Sequence, residues 1–144
     1  MSLKSKKTAV SRDVDPALAA AIRSRLKDGK LDCAAAFALA KEKGIPPLAL
    51  GEAADSLGIH LSHCQLGLFG FPGHSKAWEK PGWKEIPLPD GLETAIRSAL
   101  DPDQSLSCPK AWVLADRFGI GRAYLGFFAS RLRIKIKRCQ LGAF

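Results

Sequence analysis

LDCAAAFALAKEKGIPPLALGEAADSLGIHLSHCQLGLF, residues 31–69, and LSCPKAWVLADRFGIGRAYLGFFASRLRIKIKRCQLGAF, residues 106–144, are two versions of one segment. Setting each residue beside the one 75 positions on gives 17 identities in 39 ungapped positions. They include Leu39-Ala40 with Leu114-Ala115, Gly44-Ile45 with Gly119-Ile120, and Leu50-Gly51 with Leu125-Gly126. The run ends in Cys64-Gln65-Leu66-Gly67 and Cys139-Gln140-Leu141-Gly142. With one residue of slack, Ala21-Ile22-Arg23-Ser24 also meets Ala95-Ile96-Arg97-Ser98. An internal repeat on this scale governs the whole fold reading.

Each copy reads as three helices and a strand. Asp15-Pro16 is a cap followed by a first-turn proline, opening a helix to about Lys27. Pro89-Asp90 opens its counterpart, to about Leu100. Asp32 and Ser107 are equivalent N-caps of a second helix that stops at Gly44 or Gly119. A third helix runs from about Pro47 to Leu57, and from Arg122 to Leu132. The apolar period then changes from 3.6 to 2: Ile134 and Ile136 alternate with Arg133, Lys135 and Lys137, as in a half-buried strand. A lone strand leaves backbone groups unpaired, so strands near 59–66 and 133–141 are expected to pair antiparallel, within the chain or in a homodimer. The expected fold is mainly α with a small antiparallel β element, its two units related by a pseudo-twofold. Leu39, Ala40, Leu50, Leu57, Leu114, Ala115, Leu125 and Leu132 are expected in the core.

The expected division is a disordered tail over 1–15, a first repeat over 16–70, a linker over 71–88 and a second repeat over 89–144. The linker rests on its prolines and glycines. Trp78 and Trp83 within it read as apolar anchors.

The second and third helices are joined by a very short turn. The pattern Leu39-Ala40-x-x-x-Gly44-Ile45-x-x-x-x-Leu50, repeated as Leu114-Ala115-x-x-x-Gly119-Ile120-x-x-x-x-Leu125, resembles the bacterial helix-turn-helix signature. A small residue lets the helices cross closely, and a glycine takes the left-handed turn position. The resemblance covers about 20 residues of each copy and implies a winged-helix-like, DNA-binding unit whose third helix reads the major groove.

Charge separates the copies. The chain carries a formal +8, with residues 106–144 at +7 and residues 31–69 at −2. The third helix of the first copy starts Pro46-Pro47-Leu48-Ala49 and carries Glu52 and Asp55, which suits a protein contact or simple burial. In the second copy it starts Gly121-Arg122-Ala123-Tyr124. Arg117, Arg122, Tyr124, Arg131, Arg133, Lys135, Lys137 and Arg138 are therefore the candidate nucleic-acid-binding residues. A solvated basic edge strand is the competing reading of that last segment.

Catalysis finds no motif: there is no nucleophile elbow, phosphate loop or paired-carboxylate signature. The four cysteines, Cys33, Cys64, Cys108 and Cys139, lack the short spacings of a zinc site and are expected to be free and buried. His60 and His63 correspond to Lys135 and Arg138 in the second copy, which cannot replace imidazole as ligands. No metal, cofactor or membrane segment is expected. No secretory signal is read at the start, and a cytoplasmic location is expected. The sequence thus points to a non-enzymatic regulator of transcription that binds double-stranded DNA through its second repeat. The alternative is an interaction or accessory module on the same scaffold.

Overall fold

The computed structural model describes residues 14–71, 73 and 75–144. The expected tail over 1–15 lies almost wholly outside them. The described chain is mainly helical, with short strands in two small sheets. It divides into two compact units. One takes in the described residues up to His63 together with Gln140–Ala143, and the other Cys64–Cys139 with Phe144.

In the first unit, α1 (Pro16–Arg23) is capped by the Asp15 carboxylate, which accepts from the Leu18 N–H at 3.1 Å. It stops short of Lys27 because Asp28 and Gly29, at φ 52° and 75°, form a tight turn. Lys27 and Lys30 exchange backbone hydrogen bonds across it, as an Asp-Gly hairpin turn requires. Then come β1 (Leu31–Asp32), α2 (Cys33–Lys43), α3 (Pro47–Ser56) and β2 (Leu61–Ser62). Asp32 caps α2 through the Ala35 N–H at 2.6 Å, and Gly44 ends it at φ 66°. Ile22, Leu31, Leu39, Ala40, Leu50 and Ala54 are buried here, with Leu141.

The second unit has two 3-10 turns (Ala77–Glu79 and Trp83–Glu85), then α4 (Leu92–Ser98) and β3 (Leu106–Ser107). These are followed by α5 (Cys108–Phe118), α6 (Arg122–Arg131) and β4 (Ile136–Lys137). Ser107 caps α5 and Gly119 ends it at φ 65°. Leu92, Ile96, Leu106, Leu114, Leu125 and Phe128 form its core, with Trp78 and Trp83 packed on Phe127 at 6.0 and 5.6 Å between ring centres. Leu57 and Leu132, expected in the core, are half-buried.

The strands correct the expected β element. There are two short strands in each copy rather than one, and they pair parallel: Leu31 with Leu61, and Leu106 with Ile136. Each strand pairs within its own copy, not antiparallel with the other. The reason lies at the helix caps. Asp32 and Ser107 cap with extended backbone, at ψ 155° and 151°. The residue before each cap is therefore available to a ladder that hydrophobic alternation does not reveal. The two helices between the strands form the crossover that a parallel pair needs.

The bounds of β1, α2, α3 and β2 recur 75 residues on as β3, α5, α6 and β4. Left-handed backbone recurs at the same interval: Gly29 and Gln104, Gly44 and Gly119, Gly58 and Arg133, His63 and Arg138, Gly67 and Gly142. The tail after β2 belongs to the second unit, and Gln140–Ala143 after β4 to the first. Leu141 sits against Gly51 of α3 in the first unit, and Leu66 against Gly126 of α6 in the second. In both places the tail's carbonyl oxygen occupies the space that a helix side chain would fill.

Candidate nucleic-acid interface

A helix that enters a groove needs one polar, open face over at least two turns. In α6, Leu125, Gly126, Phe127, Phe128 and Ala129 are all buried, which covers every direction around the helix axis. The Cys64–Gly67 tail lies over the face that begins at Ala123 and passes Gly126. Tyr124 is 40% exposed, and its ring is held 4.7 Å from that of Trp83.

Arg122, at the start of α6, is engaged inside the unit. Its guanidinium lies 3.8 Å from the centre of the Trp112 ring, donates to Gln65 Oε1 at 2.7 Å, and pairs loosely with Asp116 at 3.8 Å. Arg131 donates to the Ile86 carbonyl at 2.8 Å and lies near the Phe127 and Phe128 rings. Both arginines tie elements of the second unit together.

The segment after α6 keeps the expected alternation. Ile134 is buried and Ile136 half-buried, while Arg133, Lys135 and Lys137 are exposed. Only Ile136 and Lys137 are strand, and Arg133 sits in left-handed backbone at φ 60°. Lys137 pairs with Asp103 at 3.4 Å; Arg138 pairs with Asp101 at 3.2 Å and with Asp103 at 3.1 Å. A hydrogen bond from Ser105, aided by Arg138, holds the Asp103 carboxyl well below the usual carboxylate range. Arg117, Arg133 and Lys135 are exposed and have no ion-pair partner among the described residues. Arg117 also lies in the last turn of α5, where a cation meets the negative end of the helix dipole.

Sequence reasoning missed the groups that engage these cations: Gln65, Trp112, Asp101 and Asp103. Asp101 and Asp103 carried a signal, two acids shortly before a strand whose neighbour is basic. Gln65 carried one too, as part of the repeated tail. At the positions of Arg117, Arg133, Lys135 and Lys137 the first copy has Glu42, Gly58, His60 and Ser62; its own exposed cations, Lys41 and Lys43, lie in the last turn of α2.

The cysteines form no disulfide in this structure. Burial pushes the Cys64 thiol up from its ordinary value. Among the described residues no group of three or more His, Cys, Asp or Glu side chains could hold a metal ion, and no helix is long and apolar enough to cross a membrane. No family model, curated protein or solved structure matches the chain.

Proposed function

We propose that this is a non-enzymatic nucleic-acid-binding protein built from two helix-turn-helix units, gripping duplex DNA through the phosphates with its second unit. The observation that carries this reading is the set Arg117, Arg133 and Lys135, exposed and without an ion-pair partner among the described residues, in a segment whose counterpart lacks all three charges. Exposed cations bind phosphate by releasing condensed counterions, and they need no particular base sequence. The repeated-unit reading is supported by the 17 identities and by element bounds that recur at one interval.

The burial of α6 and the engagement of Arg122 shift the proposal from base readout toward backbone contact. Phosphate contacts position a protein on DNA, and base contacts specify sequence. With Arg122 stacked on Trp112 and bonded to Gln65, the start of α6 offers no free fork to a guanine edge. Regulation of transcription, on this reading, would draw its sequence preference from DNA shape or from a partner.

A second reading is favoured by one feature of the first copy. Leu48, at the start of α3, is 47% exposed on a segment without cations, a surface suited to a protein partner. On that reading the chain is an accessory module. Fluorescence anisotropy with random-sequence duplex DNA over a range of salt separates the two. Affinity that falls steeply with salt supports DNA binding. No binding at low salt hands the lead to the accessory module.

A further inference from the structure

Within the second unit an open cleft of about 910 Å³ is lined by the aromatic residues Phe69, Trp78 and Phe144 together with Leu68 and Ile136. That volume falls in the range of small-molecule sites. Four cationic side chains, Lys76, Lys135, Lys137 and Arg138, line the same cleft, against one acidic side chain, Asp103. The acid is matched already, by Lys137 at 3.4 Å and Arg138 at 3.1 Å. Lys76 and Lys135 are the surplus. Among the described residues Lys76 donates only to a neutral group, the Leu68 carbonyl at 3.3 Å, and lies 5.7 Å from the Trp78 ring centre. Lys135 has no ion-pair partner among the described residues.

From the aromatic lining and these two uncompensated ammonium groups we infer that the cleft binds a small aromatic anion, a ring carrying a carboxylate or phosphate. The ring lies among Phe69, Trp78 and Phe144, where offset and edge contacts between rings are favourable. The anionic group meets Lys76 and Lys135, in charge-assisted hydrogen bonds that are stronger than neutral ones. Neither part suffices alone. An apolar ring without charge leaves the two ammonium groups without a counterion, and a bare anion gains nothing from the lining.

This site does not depend on DNA binding, and Lys76 plays no part in the proposed duplex contact. The test is calorimetric titration of the intact protein with 2-naphthoate, and with 2-naphthamide as its neutral counterpart. The expected result is one saturable naphthoate site, with the amide at least about ten-fold weaker, the scale of one hydrogen bond to a charged group. Lys76→Glu and Lys135→Glu should each weaken naphthoate by about ten-fold or more. Ser130→Trp, an exposed position that lines the cleft, should fill it and block binding. Lys80→Glu, exposed and outside the lining, should change nothing. Thermal melts of each variant show that it is folded. Equal affinity for the amide, an equal loss in Lys80→Glu, or no saturable naphthoate binding would each overturn the inference.

Discussion

Asp103 sets how much positive charge the second unit presents. Its carboxylate, kept ionised by the Ser105 hydrogen bond and by Arg138, neutralises Lys137 as well. Asp103→Asn retains a hydrogen-bond acceptor for Ser105 but removes the charge. It should therefore free Lys137 and steepen the salt dependence of duplex binding by up to about 0.9 in the log-log slope. An unchanged slope would mean that Lys137 does not reach phosphate. Because this carboxyl is held low in the folded state, its contribution to stability is present above about pH 4 and fades as pH falls below that. Cys64 has the opposite sign. Its thiol is raised by burial, so the folded protein keeps it neutral where the unfolded chain ionises it. Its contribution is full below about pH 8.5 and is lost as pH rises. The stability difference between the parent and Cys64→Ala should shrink in denaturant melts from pH 8 to 10. A difference that stays constant would contradict the burial of that thiol. At pH 8, iodoacetamide should label half-buried Cys139 well before Cys64.

Helix elements were legible because their ends are written in short side chains. Asp15-Pro16, Asp32, Ser107, Gly44 and Gly119 carry cap chemistry that acts locally, and α1, α2 and α5 begin or end there. The strands were not legible because two residues carry no period, and their pairing is decided by the helical crossover rather than by their own side chains. The early end of α1 was written in Asp28-Gly29, a turn signal overlooked because the apolar pattern runs on to Leu26. The repeated glycine after Leu50 and Leu125 had a meaning that only the packing reveals. A Cβ at Gly126 would overlap the Leu66 carbonyl oxygen, and one at Gly51 that of Leu141. In an open helix Gly→Ala gains about 1 kcal/mol. Here Gly126→Ala should instead destabilise by roughly 1–3 kcal/mol, the cost of overpacking. Gly119→Ala meets no neighbour within 4 Å and should cost roughly 1–2 kcal/mol, for its left-handed backbone alone. Urea melts compare the two directly, and a stabilised Gly126→Ala would mean that the tail does not rest on α6. Leu125→Ala, fully buried beside it, should cost roughly 2–5 kcal/mol. A loss below about 0.5 kcal/mol would misplace α6.

At the scale of the molecule, charge asymmetry between the copies was plain in the sequence, but the fate of each charge was not. Arg122 looked like a base reader from its place in the motif. Trp112 is ten residues away and Gln65 lies 57 residues away, so neither contact could be read from neighbours in sequence. Lys137 and Arg138 looked free for the same reason, because Asp101 and Asp103 belong to the loop before β3. Of the candidate cations, Arg117, Arg133 and Lys135 are exposed and have no ion-pair partner among the described residues, and the account predicts that duplex DNA is held by these. The most direct measurement is the salt dependence of binding to random-sequence duplex DNA by the parent and two double variants. Arg133→Ala with Lys135→Ala should weaken binding at every salt concentration and lower the log-log slope by about 1.8, two phosphate contacts at about 0.9 each. Glu52→Ala with Asp55→Ala, in the first copy, should bind as well as the parent or slightly better. A parent protein that fails to bind at low salt, or an Arg133→Ala/Lys135→Ala variant with the parent's affinity and slope, would contradict the account.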